Sequence, residues 1–397
     1  MFKDIKKEAY EKSVELLINN STKYGVMASS PTNKNKNTFY INIFGRDASI
    51  CSLGMVSSGD RRLLDLARRS IITLANHQTD LGQIPSSVSP EGDNEHFYYL
   101  GSIDSTLWWL IAVDFYDRYS SDKELKKKLE KKIQKALKWL SYQDTNNDGL
   151  LEQGESCDWA DYLPNNGIVL YTNVLWYRVL NLYGMNDEAN LVFDGLNNIF
   201  LPHEADEKKS IYLQKEKYRI KALNILREDV DIYPYYLHYI SYRYASDRCD
   251  VYANLLAILF GVSEKKRSEA IVRLIEAERA GKRTPVQVLF PAITKRDKDY
   301  REYLKERPSL NKAGSYQNGG IWPYVGGFWV IALNMIGQKS IARKELRRLA
   351  ELNKKNNWGF NEWFEARSGK ASGMVGQSWN AAMYIMAYNY LEGKIKL

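Results

Sequence analysis

The stretch CDVYANLLAILFGVSEKKRSEAIVRLIEAE, residues 249–278, indicates the fold of this chain. Apolar residues recur at helical spacing on both sides of a short Gly-Val-Ser link at 261–263, so the stretch predicts a helical hairpin. A second hairpin is predicted over 325–354, with its link at 336–337. The chain is therefore built from helix pairs whose connections are short.

The same periodicity extends outward in both directions and predicts about twelve helices. These cover 3–20, a short stretch after Asp47, 60–77, 104–119, 124–142, 168–184, 187–199, 249–261, 264–278, 325–337, 338–354 and 376–392. Long polar loops rich in glycine and aromatic residues separate the pairs, at 78–103, 143–167, 201–248, 279–324 and 355–375. Six hairpins with short links at one end and long loops at the other predict an all-α, (α/α)6 toroid with a pocket at one mouth. Since no low-complexity linker interrupts the chain, we expect a single domain over 1–397.

Composition narrows the class of protein. The 397 residues are 44% hydrophobic and include 28 Tyr and 10 Trp, an aromatic excess suited to sugar binding. The net charge is +8, but the lysine runs mix with glutamate on helical patterns, so we expect a solvated surface and no nucleic-acid partner. With no long apolar run, no apolar leader and only three cysteines, the sequence predicts a cytoplasmic protein without a membrane partner.

The loops contain carboxylates beside tryptophan. The four histidines have no ligand spacing, and neither a serine nucleophile elbow nor a phosphate-binding glycine loop is present. The acidic and aromatic segments are Arg46-Asp47, Asp104 with Trp108-Trp109, Asp158-Trp159-Ala160-Asp161, Gln317 to Trp322, Glu362-Trp363 and Gln377-Ser378-Trp379. Glycoside hydrolysis needs one protonated carboxyl group, which gives its proton to the leaving oxygen. It also needs one ionised carboxylate, which either activates water or attacks the anomeric carbon. A neighbouring indole excludes water and keeps such an acid protonated near neutral pH.

Alternative interpretations stay open for single residues. Asp47 and Asp104 precede helical patterns and could be helix N-caps. A single tryptophan more often packs in the hydrophobic core than against a sugar ring. Glu362 taken alone would more often be a surface residue. The recurrence of these residues together at loop ends favours a site.

Taken together, the segments resemble the helical-toroid glucosidase domain of the amylo-α-1,6-glucosidases of glycogen-debranching type. They are similar, more distantly, to the neutral/alkaline invertases, the trehalases and the glucosidase I-like family. The resemblance covers roughly 40–393 and implies an (α/α)6 barrel with inverting chemistry. It implies that Asp161, at the end of an element like Thr-Trp-Met-Asp, is the general acid. It likewise implies that Glu362, in an element like Ser-Glu-Ile-Phe, is the general base.

The resemblance also implies a set of substrate-binding residues. These are Arg46, Asp47, Asp104, Trp108, Trp109, Asp158, Trp159, Asn173, Gln317, Trp322, Gln377 and Trp379. Two departures matter. The family's Val-Glu-Ile-Asn-Ala run is Leu-Tyr-Thr-Asn-Val at 170–174, which lacks the acidic residue that bears on sugar selectivity. Asp158, three residues before Asp161, is a rival for the acid.

An ion site is the weaker of two interpretations of the loop after 124–142. Asp144, Asn146, Asp148 and Glu155 fit the ligand spacing of a calcium loop. An Asx-rich turn in which Gly149 adopts positive φ is the favoured interpretation. No cofactor is required for the expected chemistry, and bound calcium would only brace the acid loop.

The sequence thus predicts inverting, exo-acting hydrolysis of a short α-glucoside, an α-1,6-glucoside or a related oligosaccharide. A sucrose hydrolase of invertase type and a glycoside phosphorylase on the same fold are the alternative enzymes. A sugar-binding protein without activity is the alternative outside enzymes. In each case the expected partner is a small carbohydrate.

Overall fold

The computed structural model describes residues 4–32, 35–36, 38–98, 100–242, 244–279, 285–305 and 312–397, so parts of the predicted loop 279–324 lie outside it. The helices of the described residues are α1 (Ile5–Asn19), α2 (Gly45–Ser58), α3 (Arg61–Asn76), α4 (Ile103–Tyr119), α5 (Glu124–Lys128), α6 (Glu130–Ser141), α7 (Leu170–Leu182), α8 (Asn186–Ile199), α9 (Ile211–Gln214), α10 (Lys217–Asp229), α11 (Val251–Leu259), α12 (Lys265–Glu278), α13 (Pro323–Met335), α14 (Lys339–Trp358) and α15 (Ser378–Leu391).

Six helices form a closed inner ring. Their order around the ring is α2, α4, α7, α11, α13 and α15, and α15 packs against α2 again. Inner helices are buried nearly all round, as in α4, where every residue from Ile103 to Tyr116 is buried. Such helices need no polar outer face, which explains the apolar run at 107–113 in α4.

The outer helices cover this ring from outside. Each packs against the inner helix that precedes it, α3 on α2, α5 and α6 on α4, α8 on α7, α12 on α11 and α14 on α13. The sixth pair is made from the two ends of the described chain, because α1 packs against α15. An outer helix buries one stripe only; in α3 the buried residues include Leu63, Ala67, Ile71 and Leu74. The predicted (α/α)6 toroid is therefore confirmed.

Short strands order the long loops. They are β1 (Ile43–Phe44), β2 (Ser87–Val88), β3 (Glu95–His96), β4 (Glu152–Gln153), β5 (Gly167–Val169), β6 (Tyr239–Ser241), β7 (Tyr244–Ser246), β8 (Cys249–Asp250), β9 (Leu289–Phe290), β10 (Trp363–Phe364) and β11 (Ala371–Ser372). The antiparallel sheets are β1-β2-β3, β4-β5-β6-β7, β8-β9 and β10-β11. The predicted loop 201–248 is corrected, because it contains α9, α10, β6 and β7. α10 is 13 residues long, but it buries only Arg219, Leu223 and Leu226, so its apolar periodicity is weak.

Among the described residues, no helix is long and apolar enough to cross a bilayer.

Gly54 sets how closely α2 and α15 approach. A β-carbon at this position would lie 2.7 Å from the Ala382 Cα, and it would also contact the Ala382 carbonyl oxygen. An exposed helical Gly→Ala change normally stabilises a helix by about 1 kcal/mol. Here we expect Gly54→Ala to lower the free energy of unfolding by about 1–3 kcal/mol, because overpacking separates two inner helices. Urea unfolding measures it, and an unchanged or higher stability would contradict this close contact.

Candidate active site

A cavity of about 570 Å³ opens at the end of the toroid where the inner helices begin. It is lined by Phe39, Tyr40, Phe44, Arg46, Asp47, Tyr98, Trp159, Asp161, Tyr162, Tyr316, Gln317, Trp322, Glu362, Trp363, Gly373, Met374 and Trp379. The volume suits a ligand of one or two sugar rings. The predicted acid and base line the same cavity, although about 200 residues separate them in sequence.

The second residue of each inner helix forms a closed belt, which we call the floor ring. Its members are Arg46, Asp104, Tyr171, Tyr252, Tyr324 and Trp379. Around the ring, Arg46 Nη1 lies 3.3 Å from Asp104 Oδ2, and the Tyr171 hydroxyl donates to the same oxygen at 3.2 Å. Contacts between aromatic side chains continue the belt. The ring centroids are 5.4 Å apart for Tyr171 and Tyr252, 5.3 Å for Tyr252 and Tyr324, and 4.0 Å for the stacked pair Tyr324 and Trp379. The Arg46 guanidinium lies 6.0 Å from the Trp379 ring and closes the belt.

The floor ring closes the cavity at its deep end. Four members, Asp104, Tyr171, Tyr252 and Tyr324, are fully buried, whereas Arg46 and Trp379 also line the cavity. A toroid could leave a channel through its centre, but these side chains fill it. The cavity is consequently blind, which suits a ligand that enters by one end.

The floor of the cavity carries one cationic side chain, Arg46, and two acidic side chains, Asp47 and Asp104. Arg46 Nε lies 3.3 Å from Asp47 Oδ2 in addition to its contact with Asp104. Burial raises the pKa of Asp47 to about 6, and the Arg46 charge opposes this rise. Asp47 and Asp104 lie in the first turns of α2 and α4, so neither is the N-cap that the sequence allowed.

The hairpin of β10 and β11 holds Glu362 by its backbone. Trp363 pairs with Ser372, and just beyond the strands Glu362 bonds with Met374, although the register would place Gly373 opposite it. The Glu362 amide donates to the Met374 carbonyl at 2.9 Å, and the Met374 amide donates to Glu362 Oε2 at 2.8 Å. The other carboxylate oxygen accepts a 2.7 Å hydrogen bond from the Tyr40 hydroxyl. Both oxygens of Glu362 are therefore positioned.

The ionisation of Glu362 is balanced by opposing effects. Burial raises the pKa of Glu362 to about 7, the bonds from Met374 and Tyr40 lower it, and the charge of Asp161 raises it. Tyr316 donates in turn to the Tyr40 hydroxyl. When Asp161 is protonated, its repulsion disappears and Glu362 ionises more easily. The pair thus favours one protonated and one ionised carboxyl group.

Asp161 belongs to the loop 154–166, which the pairing of β4 with β5 closes at its base. Gln317 Nε2 donates to Asp161 Oδ1 at 2.9 Å, and the side-chain carbonyl oxygen of Gln317 accepts from the Tyr162 amide. Burial raises the pKa of Asp161, against the bond from Gln317. One carboxyl oxygen is held in place, and the group is shifted toward its protonated form.

Asp158 belongs to the same loop but does not line the cavity. It is 2% exposed and accepts from Gln153, Asn165 and the Ala160 amide. Burial raises the pKa of Asp158 to about 6. Its contacts organise the loop that carries Asp161, which is a positioning role.

Indole groups surround the rest of the cavity. Trp159, Trp363 and Trp379 each have a buried Nε1 with no hydrogen-bond acceptor among the described residues. Buried donors are normally satisfied. Trp322 packs edge-on against Trp159 and Trp379, at 5.7 Å in both cases, and so fixes their orientation. These donors suit a ligand rich in oxygen atoms.

Several predicted binding residues do not reach the cavity. Trp108 and Trp109 are fully buried in the core, where their indoles donate to the Tyr171 hydroxyl and the Ile71 carbonyl. Asn173 is also buried and holds the backbone of Leu151. These positions correct the prediction that the three residues contact substrate. Gln377 is buried at the start of α15, and neither it nor Asp104 is among the lining residues.

The predicted calcium loop is corrected in its ligand set. Glu155 bonds instead with Arg301 and the Tyr303 hydroxyl, both at 2.9 Å, away from the turn. Asp144 accepts from the amides of Asp148 and Gly149, and Gly149 has φ of +98°. This is the Asx-rich turn that the sequence favoured. Carboxylate oxygens of Asp144, Asp148 and Glu152 do lie within 4.8 Å of one another, while the fourth predicted ligand, Asn146, is exposed.

Sequence reasoning missed several lining residues. Tyr40, Tyr316, Met374 and Gly373 contact or approach the catalytic candidates, yet none carries a charge or a motif of its own. Tyr316 directly precedes Gln317, and a search beside the acidic segments could have found it. Tyr40 lies some 320 residues from Glu362, and no spacing rule joins the two.

Comparisons with known proteins agree with this architecture. A family model described as alkaline and neutral invertase matches residues 240–393. Alkaline/neutral invertase C, mitochondrial, of Arabidopsis thaliana is 24% identical over 349 residues, which cover 78% of this chain and 51% of the relative. Neutral/alkaline invertase 1, mitochondrial, of Oryza sativa subsp. japonica is 24% identical over 334 residues, covering 73% and 51%. The chain thus spans about half the length of these curated relatives.

Solved structures share the fold. The GH63 mannosylglycerate hydrolase from Thermus thermophilus in complex with Tris has a TM-score of 0.68 at 14% identity, covering 95% of this chain and 99% of that one. The rhamnosidase from Klebsiella oxytoca with rhamnose bound has a TM-score of 0.61 at 12% identity, covering 98% and 64%. The resemblance to (α/α)6 glycoside hydrolases is confirmed, whereas that to the amylo-α-1,6-glucosidases in particular is not shown.

Proposed function

We propose that this chain is an inverting, exo-acting glycoside hydrolase, with Asp161 as general acid and Glu362 as general base. One observation carries the proposal: two carboxyl groups with raised pKa, Asp161 and Glu362, line one blind cavity walled by indoles. The closed floor accepts the end of a sugar chain and excludes threading, which supports exo action. The family match and the shared fold support hydrolase chemistry.

In the proposed reaction, Asp161 donates its proton to the glycosidic oxygen as the bond from that oxygen to the anomeric carbon breaks. The Glu362 carboxylate takes a proton from water, whose oxygen attacks the anomeric carbon from the opposite face. Both groups then return to their starting states by proton exchange with solvent. Tyr40 and the Met374 amide hold the carboxylate toward the water, and Gln317 holds the acid.

Hydrolysis is favoured over phosphorolysis by charge. Among the described residues that line the cavity, the cation is Arg46, and it already faces Asp47 and Asp104. A phosphate nucleophile needs a cationic cleft, while this cavity carries several acids. Activity that requires inorganic phosphate would contradict the proposal.

The substrate that we propose is a short α-glucoside. Sucrose is the first candidate because the relatives that match are named invertases, and sucrose is itself an α-glucoside. An α-1,6-glucoside such as isomaltose is the second candidate, from the resemblance of the acid and base segments. The single domain, the small-carbohydrate partner and the cytoplasmic location stay predictions; the relatives' names include mitochondrial, chloroplastic and cytosolic forms.

Product analysis tests the mechanism and the substrate together. Purified chain is incubated with sucrose or with isomaltitol, the reduced form of isomaltose whose second product is not glucose, and proton NMR follows the anomers of the glucose released in the first minutes. We expect β-glucose first, because inversion converts an α-linkage into a β-product. Initial α-glucose would show retention and overturn the mechanism.

The acid limb of the pH profile should follow Glu362. Because the base must be ionised and its pKa is raised to about 7, we expect kcat/KM to fall as the pH drops through about 7. Tyr40→Phe removes a hydrogen bond that lowers this pKa, so the limb should move to higher pH. The profile of each enzyme on one substrate measures the shift. A limb that stays in place or moves to lower pH would contradict the role of Tyr40.

A further inference from the structure

One wall of the cavity mouth is made of aromatic rings. Phe39, Phe44 and Tyr98 line it, and His96 stacks behind Tyr98. Phe44 stacks on Tyr98 with centroids 5.8 Å apart, and Phe39 meets Tyr98 edge-on at 5.4 Å. Two separate segments of the chain, 39–44 and 96–98, converge here.

The fold holds this wall rigidly. The β1-β2-β3 sheet brings Phe44 beside the segment that carries Tyr98. The Tyr98 hydroxyl lies 2.8 Å from the Ser87 hydroxyl and accepts from Asn42 at 3.3 Å. Phe39 directly precedes Tyr40, the residue that donates to Glu362. The wall is therefore fixed relative to the base.

The packing of the core does not explain Phe39. Its side chain is 62% exposed, among the larger exposures of any big apolar residue described. An aromatic face kept in solvent at the mouth of a sugar-sized cavity is free to contact a ligand. Sugar rings present C–H groups that pack on such faces.

The charged residues around the cavity also restrict which leaving groups can bind at its mouth. Of the lining residues that the structure describes, the charged ones are Arg46, Asp47, Asp161 and Glu362, and none of these belongs to the aromatic wall. Arg46 is engaged by Asp47 and Asp104 at the floor. An anionic leaving group at the mouth would meet no cation among the described residues of the aromatic wall, and it would approach two catalytic carboxyl groups.

We propose that Phe39, Phe44 and Tyr98 form an aglycone platform that selects glycosides whose leaving group is an uncharged sugar ring. The proposal rests on the proposed function and adds the class of leaving group. It separates this chain from an enzyme whose leaving group carries a carboxylate, such as the mannosylglycerate hydrolase named above. The platform binds the ring by one face, and Asp161 protonates the oxygen that joins the two sugars.

The test compares three α-glucosides that differ only in the leaving group. The first is the faster of sucrose and isomaltose, the second is α-glucosylglycerate, and the third is α-glucosyl fluoride, which has no aglycone ring. We expect wild-type kcat/KM on the disaccharide to exceed that on α-glucosylglycerate at least about 100-fold, or about 2.7 kcal/mol. Equal rates on these two substrates would overturn the platform.

Two variants then test whether Phe39 and Phe44 cause the preference for a sugar leaving group. In Phe39→Leu and Phe44→Leu, the ratio of kcat/KM for the disaccharide to that for α-glucosyl fluoride should fall about ten-fold, because leucine keeps bulk without an aromatic face. Phe193→Leu, on the outer helix α8, is the matched control and should leave the ratio unchanged. An unchanged ratio in both mouth variants refutes the platform while the hydrolase stands. A wild-type chain that hydrolyses none of the three refutes the proposed function and the platform with it.

Discussion

Asp161→Asn and Glu362→Gln should each lower kcat on the disaccharide by about 10³-fold or more, while KM changes little. Each change keeps the shape of the side chain but removes a proton donor or acceptor of the reaction, an effect that typically contributes 10²–10⁴-fold. Binding is retained because the indoles and the floor ring are untouched. Steady-state kinetics with a coupled glucose assay measures both constants.

α-Glucosyl fluoride assigns the two roles. Fluoride leaves without needing a proton, so Asp161→Asn should keep far more activity on this substrate than on the disaccharide. Glu362→Gln should lose activity on both, because water still needs a base. The reverse pattern would exchange the roles of the two residues.

Neighbouring acids provide the matched controls. Asp158→Asn keeps an acceptor for the Ala160 amide and should lower kcat far less than Asp161→Asn. Glu365→Gln changes a residue that accepts from the Ser368 amide at the turn of the β10-β11 hairpin and should have little effect. A loss in Asp158→Asn as large as in Asp161→Asn would return the acid role to Asp158.

The sequence predicted the toroid well because the fold depends on periodicity. Twelve helical patterns and their short links correspond to the inner and outer rings, and hydrophobic spacing carries that information locally. The pairing of α1 with α15 closes the ring through contacts between the two ends of the chain. No local sequence pattern indicates that the two ends of the chain meet. The closed ring was predicted only from the number of hairpins.

Site residues were predictable where the residue type itself carries out the chemistry. They were not predictable where tertiary packing decides whether a side chain reaches the cavity. Asp161 and Glu362 stand out as acids beside tryptophan, and the cavity contains both. Trp108 looked the same in sequence, yet it faces the core, because a motif does not say which side of an inner helix a residue takes. Tyr40 shows the opposite case, since its contact with Glu362 arises from tertiary structure alone.

The floor ring explains why some of these residues recur at helix starts. Each inner helix begins at the cavity, so its second residue points toward the axis of the toroid. Arg46, Asp104 and Trp379 were recognised as part of a pattern, whereas the three tyrosines resemble ordinary core residues. Asp104 therefore acts on the site through Arg46, which it neutralises 3.3 Å away.

Gly373→Ala should lower kcat by about 100-fold with the fold intact. Gly373 follows β11 with φ of +73°, and a β-carbon there would lie 2.7 Å from the Glu362 Cβ and 2.8 Å from the Trp363 Cδ1. It would also contact Glu362 Oε2, so the carboxylate must move. A displacement of about 1 Å at a catalytic group costs on the order of 100-fold in rate.

Gly369→Ala separates this effect from backbone strain. Gly369 lies in the turn of the same hairpin with φ of +66°, but the closest atom to its β-carbon would be the Lys355 Nζ at 3.5 Å. Both variants share the strain of a left-handed alanine, about 1–2 kcal/mol, and Gly373→Ala should lose somewhat more thermal stability because its β-carbon also overlaps Glu362 and Trp363. Only Gly373→Ala pushes on Glu362, so only that variant should lose kcat and shift the acid limb of the pH profile. Equal kinetics in the two variants would mean that the hairpin tolerates the β-carbon, and that the position of Glu362 does not depend on a glycine at 373.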